Sequence, residues 1–292
     1  MCPNLKLTIL VDNRARPGLV VEHGFSVWVE AGGAQILFDT GQGTALAHNA
    51  AHLEVDLGSA QALVISHGHY DHTGGVAAAV QRAPCVTTYA HPGILRSRFS
   101  VRAQGVKSIG LPDSARFTLQ CEPSGRVKWT TTTVEIAPGV MLSGPIPRVT
   151  SYEDAGGPFF FDGEATRPDP IEDELCLWVV TPRGLVVLMG CGHAGVINTL
   201  QHARATSGVS RVHAVVGGLH LLEAGPQRIE PTLRALAEID PELVIPAHCT
   251  GDEVIETLRQ TFGRRVQPGE AGMVLELGLP DGSVAADVAT RS

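Results

Sequence analysis

Short apolar runs closed by Gly, Pro, Asp or Asn recur along the whole chain. Residues 5–11 are apolar and β-branched and stop at Asp12-Asn13, as a buried strand does. Residues 25–30 alternate apolar and polar positions, and residues 34–38 follow Gly32-Gly33, which predicts a hairpin through a glycine turn. Its second arm ends in Asp39-Thr40-Gly41. A helix is expected over 44–51 and a short strand over 62–65, then an alanine-rich helix over 76–81 and a strand over 86–90. Strands resume at 131–136 and 140–143. A second hairpin, 175–180 with 185–189, turns at Pro182-Arg183-Gly184. Beyond it strand and helix alternate: helix 196–205, strand 212–216, helix 226–239, strand 243–245, helix 253–262 and strand 273–277. Early hairpins followed by this alternation predict an α/β fold of two mixed sheets with helices outside.

Two stretches resist this reading. Residues 94–127 have weak periodicity and many turn residues, and suggest an insertion near a site mouth. Residues 152–173 hold Gly156-Gly157-Pro158, then Phe159, Phe160 and Phe161, and further prolines. They predict a long loop, a length that usually marks function or disorder. The phenylalanine run favours a packed lid. No fixed-period repeat is present.

At 292 residues the chain can bury a substantial core without covalent staples. A formal net charge of −8 argues against a protein that grips phosphate backbones. The local cations Arg96, Arg98, Arg102 and Lys107 read as a solvated loop. The six cysteines, Cys2, Cys85, Cys121, Cys176, Cys191 and Cys249, are scattered and form no CxxC pair, so free thiols in a reducing compartment are expected. The N-terminus lacks secretory-signal character, and no apolar run reaches membrane length. A soluble, cytoplasmic protein with no nucleic-acid or membrane partner is the expectation. Oligomeric state is not legible.

The chemistry concentrates in Ser66-His67-Gly68-His69-Tyr70-Asp71-His72-Thr73-Gly74-Gly75, directly after an apolar strand. Three imidazoles and a carboxylate within one short loop can turn toward one point. Imidazole suits zinc, iron, nickel and copper, and carboxylate is a harder ligand. In extended chain His67 and His69 point the same way, while Asp71 and His72 address a neighbouring position as the chain bends into a helix. That arrangement suits two cations side by side. Phosphate-loop, dinucleotide and nucleophile-elbow motifs are absent from the sequence.

His-x-His-x-Asp-His after a strand resembles the signature of the metallo-β-lactamase-fold superfamily. The likeness extends to Asp39-Thr40-Gly41 upstream and to His193 and His248 at later strand ends, nearly the whole chain. It implies a single domain over 1–292, an αβ/βα four-layer sandwich with a metal site at the sheet edge. Within that superfamily, Glu22-His23-Gly24-Phe25-Ser26, Gly190-Cys191-Gly192-His193-Ala194-Gly195, Gly217-Gly218-Leu219-His220-Leu221 and Pro246-Ala247-His248-Cys249-Thr250-Gly251 are similar to a narrower branch. That branch of metal-dependent hydrolases is often labelled as similar to a dihydropterin ribofuranosyl-aminobenzene phosphate synthase of methanopterin biosynthesis. A fold hosts many reactions, so the label guides substrate weakly.

Carried over residue by residue, the resemblance assigns His67, His69 and His193 to one cation and Asp71, His72 and His248 to the other. Asp39 would orient a ligand imidazole or the histidine loop. His220 would contact substrate or donate a proton to the leaving group. The chain departs from the commonest pattern after residue 189, where many members carry a metal-bridging Asp and this sequence has Cys191. A thiolate ligand and a small buried residue are both open there. One or two divalent ions are implied, zinc first, with iron and manganese as alternatives. His23, His48, His52, His91, His202 and His213 read as structural.

The expected activity is metal-dependent hydrolysis of a small-molecule ester, lactone, thioester or phosphodiester, with Asp71 directing the attacking water. Competing readings are an enzyme acting on a pterin-like compound, with the Phe run and Trp178 lining an aromatic pocket, and a non-catalytic metal-dependent ligand sensor. The acidic balance disfavours a nuclease. His69 disfavours an oxygen-reducing di-iron enzyme, whose relatives tend to carry Glu there.

Overall fold

The computed structural model describes residues 1–2 and 4–277. In chain order its elements are β1 (Leu5–Val11), β2 (Ser26–Ala31), β3 (Ala34–Phe38), α1 (Leu46–His52), β4 (Ala62–Val64), α2 (Tyr70–Thr73), α3 (Val76–Arg82), β5 (Thr87–Ala90), β6 (Phe99–Arg102), β7 (Gly105–Ser108), α4 (Asp113–Cys121) and β8 (Val127–Trp129). There follow β9 (Val134–Ala137), β10 (Val140–Leu142), β11 (Phe159–Phe160), β12 (Cys176–Thr181), β13 (Gly184–Met189), α5 (Val196–Ser207), β14 (Val212–Gly218), α6 (Pro226–Ile239), β15 (Leu243–Ala247), α7 (Asp252–Phe262) and β16 (Val274–Leu277).

One sheet runs β16-β1-β2-β3-β4-β5-β8 and a second runs β15-β14-β13-β12-β10-β9. Each begins with antiparallel hairpins and turns parallel where helices cross over: β3-β4-β5-β8 in the first sheet, β13-β14-β15 in the second. Parallel neighbours need such crossovers, whereas a two-residue turn suffices for a hairpin. The turn at Gly32-Gly33 has φ of 58° and 88°, a left-handed pair that glycine adopts without steric cost.

The inner faces of the two sheets bury one apolar cluster, including Leu7, Val27, Phe38, Leu177, Leu188, Val216 and Ile245. The outer face of the first sheet packs Trp28, Leu37 and Leu63 under α1, α3 and α4 through Leu46, Val80 and Leu119. The outer face of the second packs Trp178, Val187 and Val215 under α5, α6 and α7 through Leu200, Leu236 and Leu258. This is the expected αβ/βα four-layer sandwich. Alternate residues of each strand feed different clusters, as the two-residue strand period requires.

Three expectations change. The strand expected from residue 131 begins at Val134, because Thr131 and Thr132 form an exposed bend between the end of β8 and β9. The weakly patterned 94–127 stretch contains a β6–β7 hairpin, α4 and β8. All four β7 residues are exposed, so no apolar alternation marks that strand. The 152–173 loop contributes β11, which pairs with β6 to make a small third sheet, β11-β6-β7.

Candidate metal centre

The candidate residues come from strand ends gathered along one edge of the sandwich. Asp39 follows β3, Ser66 and His67 follow β4, Cys191 and His193 follow β13, His220 follows β14, and His248 follows β15. In parallel sheets the carboxyl ends of strands are where ligand crevices form. The four-residue helix α2 turns the chain after His69 and places Asp71 and His72. Asp39, His220 and His248 all have left-handed backbone, φ 55°, 49° and 50°. Non-glycine residues hold such angles where the surroundings over-determine them, commonly at functional sites.

The outward ring nitrogens are fixed by acceptors. His72 Nδ1 lies 2.7 Å from Asp39 Oδ2, so it carries the proton. Asp39 also accepts from Ser66 N–H (2.7 Å) and Ser66 O–H (2.6 Å). With its proton committed to Asp39, Ser66 Oγ accepts from His67 Nδ1 at 2.9 Å. His193 Nδ1 donates to Ala155 O (2.9 Å), and His248 Nδ1 faces Asn13 Oδ1 (2.9 Å). The Nε2 atoms of His67, His72, His193 and His248 are thereby left to point inward. Gly190 lets this network close. A Cβ there would stand 2.2 Å from Ser66 Oγ and 2.9 Å from Asp39 Oδ2.

Inward, His67 Nε2 lies 3.0 Å from His69 Nδ1, and His193 Nε2 is buried with no hydrogen-bond partner among the described residues. Donor atoms of His67, His69 and His193 lie within 4.8 Å of one another. Beside them, His72 Nε2 lies 3.3 Å from His248 Nε2, and Asp71 Oδ2 lies 3.4 Å from His248 Nε2 and 4.0 Å from His72 Nε2. The two expected groupings are therefore both brought together. Cys191 Sγ stands 3.1 Å from His72 Nε2 and also groups with His67. His220 groups with Cys191 and His193, and its Nε2 is 3.1 Å from Gly156 O.

Burial pushes His67, His69 and His193 well below the usual imidazole range, so each is a neutral lone-pair donor. Burial acts the same way on His72, but the Asp39 carboxylate outweighs it and raises the group to about 9. Burial would raise Asp71; hydrogen bonds from His23 and His248 outweigh that and hold it well below the usual carboxylate range. Burial, with Cys249 beside it, pushes the Cys191 thiol up.

Several contributors escaped the sequence reading. His23, expected to be structural, has Nε2 3.1 Å from Asp71 Oδ2. Its place in Glu22-His23-Gly24 was the available signal. Cys249 Sγ donates to Cys191 O (3.2 Å). Glu174 accepts the N–H groups of His193 (2.7 Å) and Ala194 and so seats that loop. Arg98, expected to be solvated, is 2% exposed. It pairs with Asp173 (Nη1 to Oδ2 2.8 Å), and its Nε lies 3.0 Å from Asp169 Oδ2 at an angle too bent for a hydrogen bond. Asp173 Oδ2 also accepts Gly68 N–H, between His67 and His69 (2.9 Å). Trp178 lies in the outer core, not at the site.

A cavity of about 260 Å³ opens on the group. Asp71, His69, His193, His220 and His248 line it together with Tyr70, Phe159, Arg102 and Lys107. Phe159 packs its ring 5.4 Å from those of His69 and His193, so the expected lid contributes one of its three phenylalanines here.

No helix among the described residues is long and apolar enough to cross a membrane. A family model of the metallo-beta-lactamase superfamily matches residues 19–206. The chain is 26% identical over 292 residues to the 7,8-dihydropterin-6-methyl-4-(beta-D-ribofuranosyl)-aminobenzene-5'-phosphate synthase of Methanocaldococcus jannaschii, covering 94% of this chain and 97% of that protein. It is similar to the crystal structure of Tm1679, a metal-dependent hydrolase of the beta-lactamase superfamily, with 30% identity, a TM-score of 0.79, and 94% and 99% of the two chains covered. YhfI from Bacillus subtilis, at 12% identity and TM-score 0.57 over 94% of this chain and all (100%) of that one, shares the fold. Fold, site geometry and family match agree: the chain belongs to the metallo-β-lactamase superfamily, whose members generally bind divalent metals.

Proposed function

We propose that the chain is a metal-dependent hydrolase of a small-molecule ester, lactone, thioester or phosphodiester. The observation that carries this reading is the facing pair His72 Nε2 and His248 Nε2, 3.3 Å apart. Their other ring nitrogens are held as donors by Asp39 and Asn13. Two imidazole nitrogens at that distance need a proton or a cation between them; His72, raised to about 9, supplies a proton in the metal-free protein, and a bound cation would take its place. The unpartnered, buried His193 Nε2 makes the same demand beside His67 and His69. Neutral imidazole, carboxylate and thiol are a donor set that suits zinc, with iron and manganese as alternatives.

His67, His69 and His193 would hold one cation, and Asp71, His72 and His248 the other, with Cys191 between the groups. When bound, the metal supplies positive charge that polarises the scissile carbonyl or phosphoryl group and makes water more acidic. The chain's own residues do the rest. Asp71, ionised, accepts a hydrogen bond from the attacking water and fixes its direction. Asp39 and Ser66 hold the tautomers of His72 and His67. His220 has its Nε2 proton committed to Gly156 O, and a proton on its buried, unpartnered Nδ1 would serve the leaving group. Phe159 excludes water from one wall.

Metal content of purified protein, together with turnover of an ester, lactone, thioester and phosphodiester panel, tests this reading. Asp71→Ala and His67→Ala are expected to remove most activity while the fold survives. Full activity in either variant, or no turnover of any member by metal-loaded protein, refutes the hydrolase. A second reading, action on a pterin-like substrate, is favoured by the named Methanocaldococcus relative and by the aromatic rings of Phe159 and Tyr70 in the cavity. Quenching of pterin fluorescence on binding measures it.

A further inference from the structure

We propose that the β6–β7 hairpin carries an anion-binding subsite and that the substrate bears a phosphate group; this deepens, and rests on, the hydrolase reading. Ser100 and Arg102 are alternate residues of β6 and share one of its faces. Lys107 lies directly across from Ser100 in the antiparallel register. A cross-strand pair stands within side-chain reach, so all three are brought to one side of the hairpin. All three line the cavity that also contains His69, Asp71 and His193. A sphere of 260 Å³ is roughly 8 Å across, so one small ligand spans hairpin and histidines.

The charges are arranged for an incoming anion. Arg102 Nη2 is 2.8 Å from Glu223 Oε2, with both side chains about half exposed. Its Nε is 3.3 Å from Ser100 Oγ. Lys107 Nζ donates to Tyr70 O–H (2.7 Å) and sits over the Tyr70 ring (4.4 Å), and among the described residues it has no carboxylate partner. The hairpin thus brings two cations and a hydroxyl against Glu223, in a cavity whose other carboxylate, Asp71, lies with the histidines that would hold the metal, on a chain whose net charge is −8. Arg and Lys with a hydroxyl supply donors enough for a phosphate's several oxygens. Glu223 occupies Arg102 until the anion displaces it. A cavity of this size in an acidic chain takes a small phosphorylated molecule and not a nucleic-acid strand.

The test is calorimetric binding of phenyl phosphate, benzoate and benzamide to metal-loaded and metal-free protein, in wild type, Lys107→Gln, Arg102→Gln, the double variant and Glu223→Gln. Phenyl phosphate affinity is expected to fall about tenfold in each single cation variant and further in the double variant, with benzamide unaffected. Glu223→Gln is expected to bind phenyl phosphate severalfold more tightly, because the competing carboxylate is gone; a merely structural ion pair would not give that gain. Unchanged phenyl phosphate affinity in the double variant, equal loss for benzamide, or benzoate binding more tightly than phenyl phosphate would each overturn the subsite. Binding is read without turnover, so the two readings fail separately. Cation-dependent phosphate binding in a protein that hydrolyses nothing upholds the subsite and refutes the hydrolase. Turnover of neutral esters with phosphate affinity indifferent to all four variants does the reverse.

Discussion

Replacing Arg98 by Met leaves Asp169 and Asp173, both essentially unexposed, without their cation. Removing one partner of a buried charged cluster costs about 3–5 kcal/mol, because the remaining charge is stranded in low dielectric. For a chain of this size about 2–4 °C of melting temperature accompanies each kcal/mol, so Arg98→Met is expected to melt roughly 6–20 °C lower. Lys6→Met is the control. The Lys6–Glu30 pair is 44% and 37% exposed. An exposed pair contributes about 0–1 kcal/mol, so its loss is expected to shift melting by only a few degrees. The deficit has a pH signature. Burial already raises the Asp169 carboxyl, and losing Arg98 raises it further. Protonation then relieves the stranded charge, so the gap between Arg98→Met and wild type narrows as pH falls. A local consequence follows as well. Asp173 accepts Gly68 N–H between His67 and His69, so metal affinity is expected to fall with stability. Thermal melts and metal titrations of both variants at about pH 8 and about pH 5 decide the matter. If Arg98→Met melts within about 2 °C of wild type at pH 8, or Lys6→Met loses as much, the cluster does not hold the loop as argued.

Asp39→Asn keeps the shape but weakens the acceptor for His72 and Ser66, and metal affinity is expected to drop about 10–100-fold in a competition titration; unchanged affinity would remove Asp39 from the site's support. Gly190→Ala forces a methyl to 2.2 Å from Ser66 Oγ; a loss of about 1–3 kcal/mol in urea unfolding is expected, and wild-type stability would contradict the close approach. Cys191→Ala is expected to weaken or abolish binding of the second cation equivalent while the first still loads; two equivalents bound as in wild type would make the thiol a packing residue only. In metal-free protein His67, His69 and His193 lie well below the 6.5 of the unfolded chain. Below 6.5 the unfolded chain therefore binds protons that the folded state refuses, and stability falls with pH at up to about 1.4 kcal/mol per unit per histidine. His72, raised to about 9, runs the other way above 6.5, where the folded state keeps a proton that the unfolded chain releases, and adds little slope below it. Urea midpoints measured from about pH 6.5 to about pH 5 are expected to drop, and a flat profile there would contradict three neutral imidazoles.

The sandwich was legible because periodicity is local. Alternation over residues 25–30, the glycine turn and the later strand–helix alternation each specify an element within its own few residues. The His67–His72 cluster was legible for the same reason, since one strand end and one turn bring its four groups together. Family resemblance extended that reading to His193 and His248. The convergence of His23, Cys249 and Glu174 on the same group, from segments far apart in the chain, depends on sheet order and register, which no short window contains. Arg98 shows the limit from the other side. An arginine in a weakly patterned stretch reads as solvated, and only the closure of 152–173 against β6 supplies the two carboxylates that allow its burial. The sequence by itself determined the layers and the chemistry available at one edge, because those are encoded by short-range pattern and residue type. The tertiary structure alone decided which distant donors meet, which charges are buried and which cations line the cavity, because long-range pairing sets those distances.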